Sequence, residues 1–192
     1  MNIIKNNITD PVNLSEKFHG KYRIKTTWLK NWDYGSDGFY FVTICTKDRI
    51  PVFGQIKNNE IILSEIGNIA EKYWLEIPAH FPFVNLDTFV IMPNHIHGII
   101  IINNNVETGQ CPVSTVGKNH TKNSNTLSSI IGSYKSICTK RINKMQNRIN
   151  FRWQSRFYDH IIRNEKSLYN IRNYIINNPA SWNKDRENPN YL

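Results

Sequence analysis

Residues 84–103 read VNLDTFVIMPNHIHGIIIIN, and this stretch decides the fold. Two runs rich in β-branched and aromatic residues, Val84 to Met92 and His95 to Asn103, flank Pro93-Asn94, a pair suited to a tight turn, so the stretch predicts a β-hairpin. Side chains alternate along a strand. His95 and His97 therefore share one face, while Ile96 points to the other and into a core.

Working outward, Phe39 to Thr46 (FYFVTICT) predicts a strand, and a second short strand is expected near Ile61 to Leu63. Ser64 is placed to cap a helix whose apolar residues Ile66, Ile69, Ala70, Tyr73, Trp74 and Ile77 follow 3-4 spacing, with Pro78 as its stop. Beyond the hairpin, Leu127, Ile130, Ile131, Tyr134, Cys138, Ile142 and Met145 mark a second amphipathic helix, and Arg152 to Ile162 returns to strand character. A last helix is expected from Asn164, its N-cap, to Pro179. The order β, β, α, β-hairpin, α, β, α predicts an α+β domain with a central, mainly antiparallel sheet backed by helices, and the ferredoxin-like arrangement fits it best.

With 192 residues, 40% of them apolar, the chain suits one core and not two. Residues 1–20 read as a loose polar arm, 21–183 as the domain, and 184–192 as a C-terminal tail. Residues 103–126 are Asn-rich and aperiodic, and are expected to form a mobile insertion. Cys45, Cys111 and Cys138 show no CxxC spacing, which argues against a disulfide framework or zinc ribbon and suits a reducing compartment. The start lacks the apolar stretch of a signal peptide, and Ile99 to Ile102 is too short to span a bilayer. A soluble cytoplasmic protein with no membrane partner is expected.

The net charge of +9 points to a polyanionic partner. Lys21, Arg23, Lys25 and Lys30 alternate with Tyr22, Trp28 and Trp32. Between Leu127 and Arg163 eight basic residues face a single acid, Asp159, and among them are Lys135, Lys140, Arg141, Arg152, Arg156 and Arg163. Tyr134, Phe151, Trp153, Phe157 and Tyr158 are interleaved with them, a mixture that tracks phosphates and stacks on bases. A merely solvated basic face would look similar.

Tyr174 and Asn178 lie four residues apart on the last helix and so share a face. The ordinary reading makes Tyr174 a packing residue and Asn178 a helix-end cap before Pro179, and makes the two histidines part of the core. Taken together, the residues suggest one reaction. A divalent metal on His95, His97 and Asn178 would polarise a phosphodiester, and the Tyr174 hydroxyl would attack the phosphorus. Mg²⁺ or Mn²⁺ is expected, with the two imidazoles tilting toward Mn²⁺. With no acidic ligand in view, strong structural metal binding is not expected.

The segments FYFVTICTKDR, FVIMPNHIHGIII, IIGSYKSICTKRIN, FRWQSRFYDHIIRNEKSL and IRNYIINNPASW occur in the order found in REP-associated tyrosine transposases, a branch of the bacterial HUH single-tyrosine transposases. The resemblance covers about residues 20 to 183. It implies an HUH domain with His95 and His97 as metal ligands, Asn178 completing the site and Tyr174 as nucleophile. The implied activity is cleavage and rejoining of single-stranded DNA beside a hairpin through a 5′-phosphotyrosine, by a monomer acting at the nucleoid, with the helix-swapped dimer of the insertion-sequence branch as the alternative state. A non-catalytic hairpin-binding protein on the same fold is the competing reading, and four intact site residues argue against it.

Overall fold

The computed structural model describes residues 32–104, 126–145, 150–185 and 187–189, together with the backbone of a two-residue antiparallel pair, Lys17–Phe18 with Lys21–Tyr22. Most of the arm 1–20 and of the insertion 103–126 lies outside the described residues, as do Arg23, Lys25 and the Lys21 side chain.

Four antiparallel strands form the central sheet: β1 (Gly38–Cys45), β4 (Val84–Ile91), β5 (His95–Ile102) and β6 (Tyr158–Ile162). Their spatial order is β4-β5-β1-β6, so β5 and β1 are the interior strands and β6 is an edge. Helix α1 (Glu65–Leu75) connects β1 toward β4, and α3 (Leu127–Met145) precedes β6. This double split-βαβ is the ferredoxin-like arrangement expected from the order of elements. Among the described residues, no helix is long and apolar enough to cross a membrane.

The strands' alternation divides the sheet into two faces. Tyr40, Val42, Ile44, Ile96, Ile100 and Ile102 enter the main core with Trp74 of α1 and Ile130, Ile131, Tyr134, Cys138 and Ile142 of α3. On the opposite face Phe41, Ile99 and Ile162 pack with Ile175, Leu168 and Ile171 of α4 (Glu165–Asn177). Gly98 is where β5 meets α1. A Cβ there would lie 2.3 Å from the Trp74 ring, so the close approach of that indole requires glycine.

Both expected helix caps form. The Ser64 hydroxyl accepts from the Gly67 N–H at 3.1 Å, and the Asn164 side chain accepts from the Ser167 N–H at 2.8 Å. The strand expected near Ile61 forms and gains a partner, while Pro78 differs from expectation. The strand near Ile61 is β3 (Glu60–Leu63), the second half of a hairpin with β2 (Gly54–Lys57), turned at Asn58-Asn59, both with positive φ. Pro78 does not end a helix in the simple sense. Helix α1 closes at Leu75, and Pro78 sits in the first turn of a short helix α2 (Ile77–His80), where its missing N–H costs nothing.

Between α3 and β6 the chain runs beside the end of β1. Lys47 N–H bonds the Arg152 carbonyl and Gln154 N–H bonds the Cys45 carbonyl, each at 2.9 Å, before the regular strand starts at Tyr158. After α4, Pro179–Lys184 forms a 3₁₀ turn. Among the described residues that follow, expected from sequence to be a tail, Asp185 and Asn188 are buried.

Candidate active site

On β5, His95 and His97 lie beneath α4 and the 3₁₀ turn, and both are buried. They stand on an interior strand of the sheet. Their orientation is fixed from behind. Asn94 donates its amide N–H₂ to the Arg49 carbonyl at 3.0 Å and to the Glu187 carbonyl at 2.6 Å, which identifies the atom facing His95 as the amide oxygen. That oxygen lies 2.8 Å from His95 Nδ1, so Nδ1 carries the proton and Nε2 presents a lone pair. His97 is held through Nδ1, 2.8 Å from the Thr43 hydroxyl on β1.

The two Nε2 atoms face each other at 3.0 Å. Burial holds both imidazoles neutral: it lowers the His95 pKa to about 3 and pushes that of His97 well below its usual value. The Tyr174 hydroxyl, on a half-exposed ring at the end of α4, is 3.1 Å from His97 Nε2. Phe41 supports this corner, with its ring centroid 5.4 Å from that of His97 and 6.1 Å from that of Tyr174, the latter edge-on.

Beyond the histidines, the Asp185 carboxylate reaches in, with Oδ2 3.7 Å from His95 Nε2. His95, His97 and Asp185 offer ligand atoms that all lie within 4.8 Å of one another, a buried group able to hold a metal. The expectation that no acidic ligand is available is therefore corrected. Asp185 follows the 3₁₀ turn eleven residues after Tyr174, and nothing in its local sequence marks it. Glu187 N–H bonds its other oxygen at 2.8 Å, and Glu187 is itself tied to Arg49 at 2.9 Å, so the segment is anchored.

The Asp185 carboxylate is suited to such an ion. Asp185 Oδ2 and Asn178 Oδ1 are both buried acceptors with no hydrogen-bond partner among the described residues. Orphaned acceptors are costly in a protein interior. A cation held by the two imidazoles and the Asp185 carboxylate removes that cost for Asp185. Asn178 sits one helical turn beyond Tyr174, at the C-cap of α4, where its backbone is still helical.

The helix bearing Tyr174 is locked in position. Arg172 Nε donates to Asp87 Oδ1 at 2.9 Å. Asp87 lies at a register shift of β4, between Leu86 and Phe89. The Arg172 guanidinium holds the Asp87 carboxyl down at about 2.

The basic residues named from sequence divide by direction. Lys135 turns inward: its ammonium donates to the Gln154 carbonyl at 2.7 Å and reaches those of Ser155 and Arg156, and burial lowers its pKa to about 8. Trp153 is also directed inward, packing on Phe53, Phe151 and Tyr134 and donating Nε1–H to the Lys135 carbonyl. These two side chains hold the loop before β6. Lys140, Arg141, Arg152, Arg156 and Arg163 are exposed, with Arg152 bonded to Asn150 and Arg163 lying over the Trp32 ring.

No family model matches the chain. An uncharacterized protein of Haemophilus influenzae is 40% identical over 171 residues, covering 87% of this chain and 94% of that protein. A second protein of the same organism, named "Putative REP-associated tyrosine transposase", is 26% identical over 152 residues, 77% of this chain and 73% of its own. Among solved structures, a REP-associated tyrosine transposase bound to a REP hairpin superposes with a TM-score of 0.54 at 20% identity, covering 81% of this chain and 73% of that one. The chain belongs to one family with the 40% identical Haemophilus influenzae protein, and in its motifs and fold it resembles the REP-associated tyrosine transposases.

Proposed function

We propose that the chain is a metal-dependent transposase that cleaves and rejoins single-stranded DNA beside hairpin sequences. The observation that carries this reading is the 3.1 Å approach of a half-exposed tyrosine hydroxyl to His97, one of a buried His95, His97 and Asp185 group able to hold a metal. A structural tyrosine has no use for such surroundings.

In this reading Tyr174 is the nucleophile. The bond from its oxygen to phosphorus forms as the bond from phosphorus to the deoxyribose 3′-oxygen breaks, giving a 5′-phosphotyrosine and a 3′-hydroxyl. The phenolic proton leaves to solvent, to which the ring is open, and the departing 3′-oxygen takes a proton from solvent. His95, His97, Asp185 and Asn178 would hold Mg²⁺ or Mn²⁺, the two imidazoles favouring Mn²⁺. Bound there, the cation would supply Lewis-acid polarisation of the phosphodiester. Asn94 and Thr43 keep the imidazoles turned toward that position, and the Arg172–Asp87 pair keeps Tyr174 over them. Because the phosphotyrosine conserves the energy of the broken bond, a second 3′-hydroxyl can reverse the step and rejoin strands without a high-energy cofactor.

Hairpin DNA as the partner is supported by the structural neighbour, which is bound to a REP hairpin, and by the net charge of +9. The test is a denaturing gel of protein incubated with hairpin-bearing single-stranded DNA. A slow-migrating adduct that requires added Mn²⁺ or Mg²⁺ is expected, and adduct formation undiminished by excess chelator overturns the metal site.

A further inference from the structure

We infer that Tyr158 is a stacking platform for an unpaired base next to the scissile phosphate, an inference that rests on the strand-cleaving reading above. Five aromatic residues are interleaved with the basic stretch, and the structure separates them. Tyr134 and Phe151 are buried, Trp153 packs among them, and Phe157 packs against the main core. Tyr158 alone of the five is exposed, at 47%.

Its location gives that exposure meaning. Across β5, β1 and β6 the registers place His97, Thr43 and Tyr158 in one row: His97 is opposite Thr43, and Thr43 is opposite Tyr158. Residues directly opposite in a sheet project from the same face, so Tyr158 stands on the face that carries the histidines. The Thr43 hydroxyl at the centre of the row is the group that holds His97. In the next row Phe41 supports both tyrosines, with ring centroids 6.2 Å from Tyr158 and 6.1 Å from Tyr174, edge-on in each case. Two half-exposed tyrosine rings thus flank one buried phenylalanine.

At about 5 Å per cross-strand step, Tyr158 lies roughly 10 Å from His97. A strand whose phosphate reaches Tyr174 has a base within reach of Tyr158. Beyond Tyr158 the sheet ends, since among the described residues no strand pairs with the outer edge of β6. An unpaired strand can leave there, which a duplex, with its bases already stacked and paired, could not use in the same way. The platform therefore favours single-stranded over duplex DNA on one side of the cleavage point.

The experiment pairs Tyr158 variants with a scan of single abasic sites through the four nucleotides on each side of the cleaved bond. For intact oligonucleotide, Tyr158→Ala should raise KM about tenfold or more, while Tyr158→Trp and Tyr158→Phe should keep it near wild type. At one position of the scan, removal of the base should cost the wild type the same factor and cost Tyr158→Ala nothing further. A merely structural Tyr158 would lower thermal stability and show no such position. Equal KM for wild type and Tyr158→Ala, or additive losses at every abasic site, overturns the inference while leaving the cleavage reading intact. No covalent adduct with the wild-type protein on any single-stranded DNA removes that reading and this inference with it.

Discussion

The Tyr174 hydroxyl lies 3.1 Å from Nε2 of His97, although the two residues are 77 apart in sequence and on different elements. The contact exists because α4 packs Ile175, Leu168 and Ile171 against Phe41, Ile99 and Ile162, on the face opposite the main core. One apolar seam thus holds the helix down, and the tyrosine beside Ile175 falls over the histidines.

The carboxylate at Asp185 should govern metal affinity. Asp185→Asn keeps the side-chain shape and an oxygen for the Glu187 N–H but removes the charge. Mn²⁺ binding followed by calorimetry should weaken by about tenfold or more, with little change in the melting temperature of the metal-free protein. Unchanged affinity would remove Asp185 from the ligand set and leave Asn178 as the third donor.

Acid should loosen the clamp on α4. The Asp87 carboxyl titrates at about 2 in the fold and near 3.9 in an unfolded chain. Its folded pKa is depressed, so the pair's stabilisation is present above about pH 4 and is lost as pH falls toward 2. The urea midpoint of wild type should therefore exceed that of Asp87→Asn at pH 6, and the two should converge near pH 2. A difference that persists undiminished at pH 2 would mean the aspartate acts by shape and not by charge.

Charge on the surface should separate from charge in the fold. Replacing Lys140 and Arg141 with Gln should flatten the dependence of log K on log salt by roughly 0.7 for each phosphate that is no longer neutralised. Lys135→Met should leave that slope unchanged and lower stability by about 1–3 kcal/mol, because three carbonyl oxygens are deprived of their donor. Titrations with labelled single strands at several salt concentrations, beside chemical denaturation, read both effects. A flatter slope in Lys135→Met would return that lysine to the DNA surface.

Gly98→Ala should be destabilising although it changes one methyl group. The added Cβ meets Trp74 at 2.3 Å and Phe89 Cβ at 3.2 Å, and overpacking of this kind costs about 1–3 kcal/mol. Denaturation midpoints check it, and a neutral result would show that the indole can shift.

Much of this architecture is legible in the sequence because it is set locally. The β4–β5 hairpin, the caps at Ser64 and Asn164, and the shared face of His95 and His97 depend on alternation and on hydrogen bonds spanning three residues or fewer. The β2–β3 hairpin is less legible. Its strands are four residues each, too short for alternation to stand out, and only the Asn58-Asn59 pair signals its turn. Asp185 is not legible at all, since its place over His95 depends on where the chain goes after Pro179. Lys135 and Trp153 look from their spacing like a nucleic-acid surface. Only tertiary packing turns one toward carbonyl groups and the other toward Phe53.

The most direct test of Tyr174 as nucleophile is the identity of the residue joined to DNA. Protein incubated with Mn²⁺ and hairpin-bearing single-stranded DNA, then digested with nuclease and trypsin, should yield the peptide 173–184 (NYIINNPASWNK), which contains one tyrosine, carrying a nucleotide phosphate on Tyr174. Tyr174→Phe should yield none while still binding the DNA. A nucleotide on any other residue, or an adduct that survives in Tyr174→Phe, would contradict the assignment.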